Sequence, residues 1–350
     1  MGRRGFAVPA ALAIVTGVLS LASTAVAGRS ASAPPQAAKA WTLPRTPAGQ
    51  PDLQGYWTND TFTPLERPPE LAGRELFTEE EAAAYLKKRT DQYLAQPKDD
   101  IHYDDAIWQG ENYVKEPNRR TSLIVDPRDG RIPSLTPEAA KRTAASLERA
   151  RRSREAAESA QSRSLAERCI TWGTVGPPML PPTYNANLQI LQSRDYVVIR
   201  HEMIHDDRII PLDGRPHVGP NIHKLAGDSR GHWEGDTLVV DTTNFTDKTN
   251  FRGAPRNTRQ DILASDALHV VERFTRVDAD RIRYEFTVED PATWTRPWSG
   301  EIPIRRFDGP IFEYTCHEGN YGLVHLLKGA RADEKAAAEA AKQDRGESSR

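Results

Sequence analysis

The chain has 350 residues, enough for one large domain or two, and a formal net charge of -2. Basic residues are spread among acidic ones and do not gather on one segment, which argues against a surface for nucleic acid or another polyanion. No stretch after the first 27 residues approaches the 18 consecutive apolar residues of a membrane span.

The N-terminus has the pattern of an export signal. Arg3 and Arg4 precede an apolar stretch over residues 6–21, and Ala25-Val26-Ala27 is the small-residue pattern that signal peptidase accepts. We therefore predict that residues 1–27 are a signal peptide and that the protein is periplasmic or secreted. The paired arginines also fit a twin-arginine signal loosely, so the Sec and Tat routes both stay open.

Composition divides the rest of the chain into three parts. Residues 28–50 are rich in Ala, Pro and Ser, which is typical of a linker. Residues 329–350 are charged and alanine-rich, which favours a disordered or helical tail. Between them we predict a single β-rich domain over residues 51–328.

Two helices are predicted at the periphery of this domain. Thr78 and Glu81 have the spacing of a capping box and predict a helix over about 78–95. Pro137 suits the first turn of a second helix over about 136–168. The middle of the second helix is almost wholly Ala, Arg, Glu and Ser, so we expect an excursion on the surface.

The second half of the chain has the period-two pattern of strands. Residues 281–289 alternate between polar and apolar without an error, and residues 268–276 can pair with them across a turn at 278–280. Further strand patterns separated by turn signals predict an antiparallel barrel or closed meander. The predicted fold class is therefore mainly β.

Several motifs carry a resemblance to known proteins. The runs GHWEGDTLVVDTTNF from residue 231, DGRPH from residue 213 and VEDP from residue 288, with Pro297-Trp298, resemble a widespread group of exported bacterial proteins of uncharacterised function. That resemblance covers most of residues 50–328 and implies no catalytic residues. Gly55-Tyr56-Trp57 is similar to the G-x-W that opens the first strand of lipocalin-like barrels, where the tryptophan fills the barrel floor.

The sequence contains two cysteines, Cys169 and Cys316. In an oxidising compartment this pair predicts one disulfide, which would close a long loop and contribute about 4–5 kcal/mol in the chain-entropy model. The alternative is a thiol ligand or nucleophile beside His317.

The segment from His201 to His205 matches the zinc-protease pattern H-E-x-x-H. That pattern requires a helix, whereas Tyr196 to Ile199 favours a strand, in which four residues span about 13 Å. A protease zinc site is therefore not expected. On a regular strand His201 and His205 would share the apolar face with Met203, pointing to a core or a cavity.

Three residues are predicted to be catalytic, namely His205, His217 and Glu272. Glu272 shares strand parity with apolar residues, so it is either a poised carboxylate or half of a structural ion pair with an arginine. A further set is predicted to bind substrate through polar or aromatic contacts: His201, Arg208, Tyr184, Trp233 and Trp298.

Two classes of function fit these residues. The first is an exported enzyme of lyase, isomerase or hydrolase type, acting on a small hydrophobic or aromatic molecule by general acid-base catalysis. In this hypothesis His205 is the acid or base, and Arg208 and His217 hold an anionic or carbonyl group. It requires His205, His217 and Glu272 to converge on one cavity.

The alternative is a lipocalin-like carrier that binds such a molecule unchanged. A histidine-ligated metal enzyme is a minor alternative, and otherwise no cofactor is predicted. The expected partner is a small-molecule ligand, and the oligomeric state stays open. The sequence has no nucleophile elbow, P-loop or dinucleotide fingerprint.

Overall fold

Antiparallel strands dominate the computed structural model, which describes residues 41–95, 116–157, 159–182, 184–248, 250–252 and 261–347. The predicted signal peptide and residues 28–40 of the predicted linker lie outside these ranges. The strands are β1 (Gly55–Thr58), β2 (Ile124–Asp126), β3 (Asn187–Gln192), β4 (Tyr196–His201), β5 (Asp207–Pro211), β6 (Asp228–Glu234), β7 (Thr237–Thr243), β8 (Asn250–Arg252), β9 (Asp261–Leu263), β10 (His269–Arg276), β11 (Arg281–Glu289) and β12 (Trp298–Arg306).

Nine of these strands form one curved sheet in the order β5-β4-β3-β1-β12-β11-β10-β7-β6. Strand β2 pairs with β12 beside this path, and β8 pairs with β9 separately. The predicted mainly β fold is thus confirmed as a nearly closed barrel, consistent with a lipocalin-like architecture.

The period-two pattern sets which side chains fill the barrel. Every second residue of β11 is buried, and the residues between them are exposed or half-buried. It pairs with β10 from His269 opposite Glu289 to Arg276 opposite Ile282, as the turn at 278–280 predicts. Glu272 lies on the inner face of β10 and is fully buried, so its predicted parity is confirmed.

The two edge strands, β5 and β6, lie side by side and form what we call the seam. No ladder pairing joins them in the described sheet, so the barrel closes here through side chains. A Cβ atom at Gly231 on β6 would lie 2.7 Å from Leu212 and 2.8 Å from Ile210. Glycine at this position therefore lets the side chains of and beside β5 pack directly on the β6 backbone.

One end of the barrel, the floor, is closed by Trp57. This side chain is fully buried, and its indole N–H donates to the Leu53 carbonyl at 2.9 Å. The Arg276 guanidinium lies 5.4 Å from the ring centroid, within the range of a cation–π contact. The tryptophan of the G-x-W motif is thus buried in the core at the end of the barrel where β10 and β12 finish.

Three α-helices flank the sheet in the described ranges: α1 (Glu79–Leu94), α2 (Pro137–Ala156) and α3 (Tyr321–Glu347). Helix α1 begins with the predicted capping box between Thr78 and Glu81. Helix α2 ends at Ala156, twelve residues before the predicted end at about 168, because Ala157 adopts a φ of 35° and turns the chain. The tail is helical as far as Glu347, the helical one of the two predicted alternatives.

The two cysteines form the predicted disulfide, with 5.7 Å between the Cα atoms of Cys169 and Cys316. Bonds of this kind form and persist in oxidising compartments. None of the described helices combines the length and apolar character that crossing a bilayer requires.

Candidate functional site

A belt of polar side chains crosses the inside of the barrel at the seam. Arg208 on β5 reaches over the seam, and its Nε donates to Ser229 Oγ on β6 at 3.0 Å. The guanidinium also donates to Thr242 Oγ1 on β7 at 3.1 Å and forms two hydrogen bonds with Glu272 on β10. Tyr284 on β11 then donates to Glu272 Oε1 at 2.7 Å. The belt thus links five neighbouring strands, including the two edges.

The belt is electrically neutral although it is buried. Glu272 is inaccessible to solvent and Arg208 is almost so, and their opposite charges face each other directly. Burial raises the pKa of the Tyr284 hydroxyl, and the neighbouring Glu272 charge raises it further. Tyr284 is therefore uncharged and packs against Phe274 and Phe286, with ring centroids 4.9 and 5.7 Å away.

His201 lies beside the belt at the end of the barrel opposite the floor, which we call the mouth. It is the last residue of β4 and shares the inner face with Ile199, which is directly opposite Arg208 on β5. Burial lowers the pKa of the His201 imidazole to about 3, with a further contribution from the positive charge of Arg208. The ring is therefore neutral at physiological pH.

A buried polar atom at the mouth has no hydrogen-bond partner among the residues that the structure describes. It is His201 Nε2, on the inner face of β4, in a residue that is more than nine-tenths buried. Asn187 Oδ1 on β3 is also buried and without a partner, but it belongs to the outer face, where the same side chain donates to Glu202. Because buried polar groups normally find a partner, His201 Nε2 calls for an explanation, and a ligand that completes it is one.

The buried His201 predicts a loss of stability on acidification. Below pH 6.5 the histidine of the unfolded chain takes up a proton, whereas the folded chain does not until about pH 3. Stability present above pH 6.5 is therefore lost as the pH falls, by about 2 kcal/mol between pH 7 and pH 5 for this one group. Urea unfolding of wild type and of His201→Gln at pH 7 and pH 5 measures this change in the free energy of unfolding. The contribution of about 2 kcal/mol from His201 should be missing in the variant.

His232→Gln is the matched control for this experiment. His232 lies on the outer face of β6, with an exposed side chain that pairs with Glu234. This variant should keep the wild-type pH response. Equal pH responses of wild type and His201→Gln would show that His201 is not the group responsible.

A short loop fills the mouth above the belt. Met179 and Leu180, which we call the plug, are both fully buried in the barrel core. The Met179 N–H donates to the Tyr284 hydroxyl oxygen at 2.8 Å, and Asn59 Nδ2 donates to the Met179 carbonyl at 3.2 Å. The plug therefore reaches the same tyrosine that completes the polar belt.

Glu202 connects three chain segments near the mouth through hydrogen bonds. Its buried carboxylate accepts hydrogen bonds from Asn185 at 2.5 Å, from Asn187 at 3.2 Å and from the backbone N–H of Phe312 at 3.2 Å. Sequence reasoning missed this role because all three donors come from other segments of the chain. The Phe312 segment is joined in turn to Cys169 through the disulfide at Cys316.

The shared strand face predicted for His201 and His205 is wrong. Strand β4 ends at His201, and a single turn of 3-10 helix follows over Met203–His205. Ile204 and His205 adopt φ angles of 63° and 48°, which turn the chain out of the strand. His205 is consequently exposed, and its Nδ1 lies 2.8 Å from the Tyr314 carbonyl oxygen.

His217 lies on the opposite side of the sheet from Glu272. Its Nε2 is 2.8 Å from Asp241 Oδ1, and His269 Nε2 is 2.8 Å from the other oxygen of the same carboxylate. Hydrogen bonding to His269 lowers the pKa of Asp241, and hydrogen bonding to Asp241 raises the pKa of His269. This partly exposed cluster joins the loop after β5 to the outer face of the barrel.

The predicted catalytic residues therefore do not converge. Glu272 is inside the barrel, His217 is outside it, and His205 is on the turn beyond β4. Glu272 does form the ion pair with an arginine that was its alternative interpretation. The catalytic roles of these residues stay predictions, but one cavity shared by all three is not what the fold provides.

The predicted aromatic contacts are also dispersed. Trp298 is fully buried and packs edge-on against Trp294, with 5.7 Å between ring centroids. Trp233 is partly buried against the main core, and Tyr184 is exposed near the mouth, where its hydroxyl lies 3.3 Å from that of Tyr314. Of the predicted binding residues, His201 and Arg208 are the two that meet in the barrel interior.

Comparison with protein-family models, curated proteins and solved structures finds no match to this chain. Among the residues that the structure describes, no group of three or more His, Cys, Asp or Glu side chains is arranged to hold a metal ion. The chemistry of the mouth itself must therefore indicate the function.

Proposed function

We propose that this protein binds a small, neutral, largely apolar molecule at the mouth of its barrel. The observation that supports the proposal most directly is the unpartnered, buried His201 Nε2, on the inner face of the barrel beside the Arg208 guanidinium. A barrel that only packed its own core would gain little from a buried polar group left unsatisfied. A ligand with one hydrogen-bonding group would complete the His201 imidazole.

Neutrality of the ligand follows from the charges already present. The charges of Arg208 and Glu272 cancel, and His201 is held neutral by burial. A charged ligand group would enter this region without a counterion, which is strongly unfavourable in an apolar interior. The rings of Phe274 and Phe286 beside Tyr284 favour apolar or aromatic ligand atoms.

We place this activity in the periplasm or outside the cell. The disulfide between Cys169 and Cys316 fits an oxidising compartment, and the export signal over residues 1–27 stays a prediction. Membership of the group of exported proteins that the sequence resembles is part of the same proposal. Binding without chemistry is preferred over acid-base catalysis because His205, His217 and Glu272 do not meet.

Two fluorescent probes that differ by one charged group test the proposal. N-phenyl-1-naphthylamine is neutral, and 8-anilinonaphthalene-1-sulfonate carries an added sulfonate on the same skeleton. Titration of the folded protein should show saturable binding of the neutral probe and binding at least about tenfold weaker for the sulfonate. Equal affinities, or no binding of the neutral probe, would contradict the proposal.

Matched tryptophan variants locate the probe. His201→Trp places a larger side chain in the proposed binding site and should weaken binding of the neutral probe at least about tenfold. His232→Trp, on the outer face, should change the affinity for the same probe less than about twofold. Circular dichroism establishes that each variant is folded. His201→Phe, a smaller replacement at the same position, serves if the first variant does not fold. Unchanged affinity in a folded mouth variant would place the probe elsewhere.

A further inference from the structure

We propose that the plug occupies the place of the ligand, and that the ligand takes over the hydrogen bond that the Met179 N–H now donates to Tyr284. This inference rests on the proposed binding function and makes it more specific. It identifies the ligand as an apolar molecule with a hydroxyl or N–H group, and it makes displacement of the plug part of binding.

The hydrogen-bond directions at Tyr284 define the ligand chemistry. The Tyr284 hydroxyl donates a hydrogen bond to Glu272 Oε1 at 2.7 Å, because the carboxylate paired with Arg208 can only accept. The hydroxyl oxygen is then an acceptor towards the mouth, where the Met179 N–H meets it at 2.8 Å. A ligand that replaces Met179 must therefore donate. A ligand with only a carbonyl or ether oxygen would place that acceptor next to the Tyr284 hydroxyl oxygen, also an acceptor, with no proton between them.

The hydrogen bonds of the plug are compatible with its displacement by a ligand. Its hydrogen bonds run to the side chains of Tyr284 and Asn59 and, within the loop, from the Leu180 N–H to the Pro178 carbonyl. None of these is part of a strand ladder, and the flanking prolines have no N–H to contribute one. Displacement of the plug therefore breaks no ladder hydrogen bond, and a ligand that takes its place offsets the exposure of the Met179 and Leu180 side chains.

The plug segment, by which we mean the loop between Cys169 and Asn185 that carries Met179 and Leu180, has a left-handed residue at each end. Cys169 adopts a φ of 55° and Asn185 a φ of 52°, and neither is a glycine. Ile204, which packs with Val175 of the plug segment, has a φ of 63° although it is β-branched. Conformations of this kind are unfavourable and concentrate at sites where the chain must switch. The Cys169–Cys316 disulfide and the Asn185–Glu202 hydrogen bond hold the two ends of the segment, so backbone rotation between them would move the plug out of the mouth while its ends stay attached.

Hydrogen exchange tests displacement of the plug in the wild-type protein. We expect the amides of Met179 and Leu180 to exchange faster when the protein is saturated with N-phenyl-1-naphthylamine. The amides of β11 should not change. Slower or unchanged exchange in the plug, with the probe bound, would overturn the displacement.

A second pair of probes tests the donor requirement. The N-methyl derivative of the same naphthylamine lacks the N–H and should bind about tenfold more weakly to wild type. In Tyr284→Phe, which removes the acceptor, the two probes should bind within about twofold of each other. Equal binding to wild type would overturn the ligand assignment, and this wild-type comparison decides the question if the variant does not fold.

The outcomes separate the two proposals. If N-phenyl-1-naphthylamine does not bind wild type at all, the proposed binding function fails and this inference fails with it. If the probe binds at the mouth but the plug amides stay protected, the binding function stands and the displacement alone is wrong.

Discussion

Glu272→Gln is expected to lower the free energy of unfolding by about 3–5 kcal/mol, because it leaves the Arg208 guanidinium buried without its counterion. The Arg208 side chain is only 8% exposed, so solvent does little to replace the lost counterion. The amide also accepts less strongly from Tyr284 than a carboxylate does. Urea unfolding at pH 7, followed by circular dichroism, measures the change.

Two further variants show whether the loss comes from the buried charge. Glu285→Gln removes a carboxylate from the outer face of β11, where Glu285 pairs with Arg283 in solvent, and should cost less than about 1 kcal/mol. The double variant Arg208→Met with Glu272→Leu removes both charges and should be more stable than Glu272→Gln alone. If the free energy of unfolding of Glu272→Gln lay within about 1 kcal/mol of the wild-type value, the Arg208 guanidinium would not be buried without compensation in that variant.

The strands could be predicted because their signal is local. The alternation over Arg281–Glu289 needs no knowledge of the partner strand, and the turn that follows β10 sets the register of the pair. The capping box at Thr78 likewise placed the start of α1 within one residue. The end of α2 could not be predicted, because helix-favouring composition continues past Ala156 without a glycine or proline.

The candidate site depended on information that a single strand does not contain. Strand parity placed Glu272 inside the barrel, but its pairing with Arg208 follows from closure of the seam between strands far apart in the sequence. The prediction that β4 continues to His205 was wrong because Ile204 adopts a φ of 63° and leaves the strand. A β-branched residue normally favours a strand, so the sequence gives no sign of this turn. The paired prolines indicated a stiff loop but not that Met179 enters the barrel.

Removal of the disulfide is the second change with a large expected effect. The bond joins residues 147 positions apart, and in the chain-entropy model a loop of this length contributes up to about 5 kcal/mol. The double variant Cys169→Ala with Cys316→Ala should therefore unfold at much lower urea concentration than oxidised wild type. Dithiothreitol should destabilise wild type by a similar amount and leave the double variant unchanged.

Two different replacements at Cys169 distinguish the stability lost with the disulfide from the cost of the left-handed backbone at this residue. Because Cys169 has a φ of 55°, alanine keeps an unfavourable left-handed residue there, whereas glycine relieves it. Cys169→Gly with Cys316→Ala should thus be more stable than the double alanine variant by about 1 kcal/mol, while both lose the cross-link. If the alanine pair were as stable as oxidised wild type, the segments around the mouth would be held by Glu202 and packing alone. The disulfide would then contribute nothing measurable to the fold.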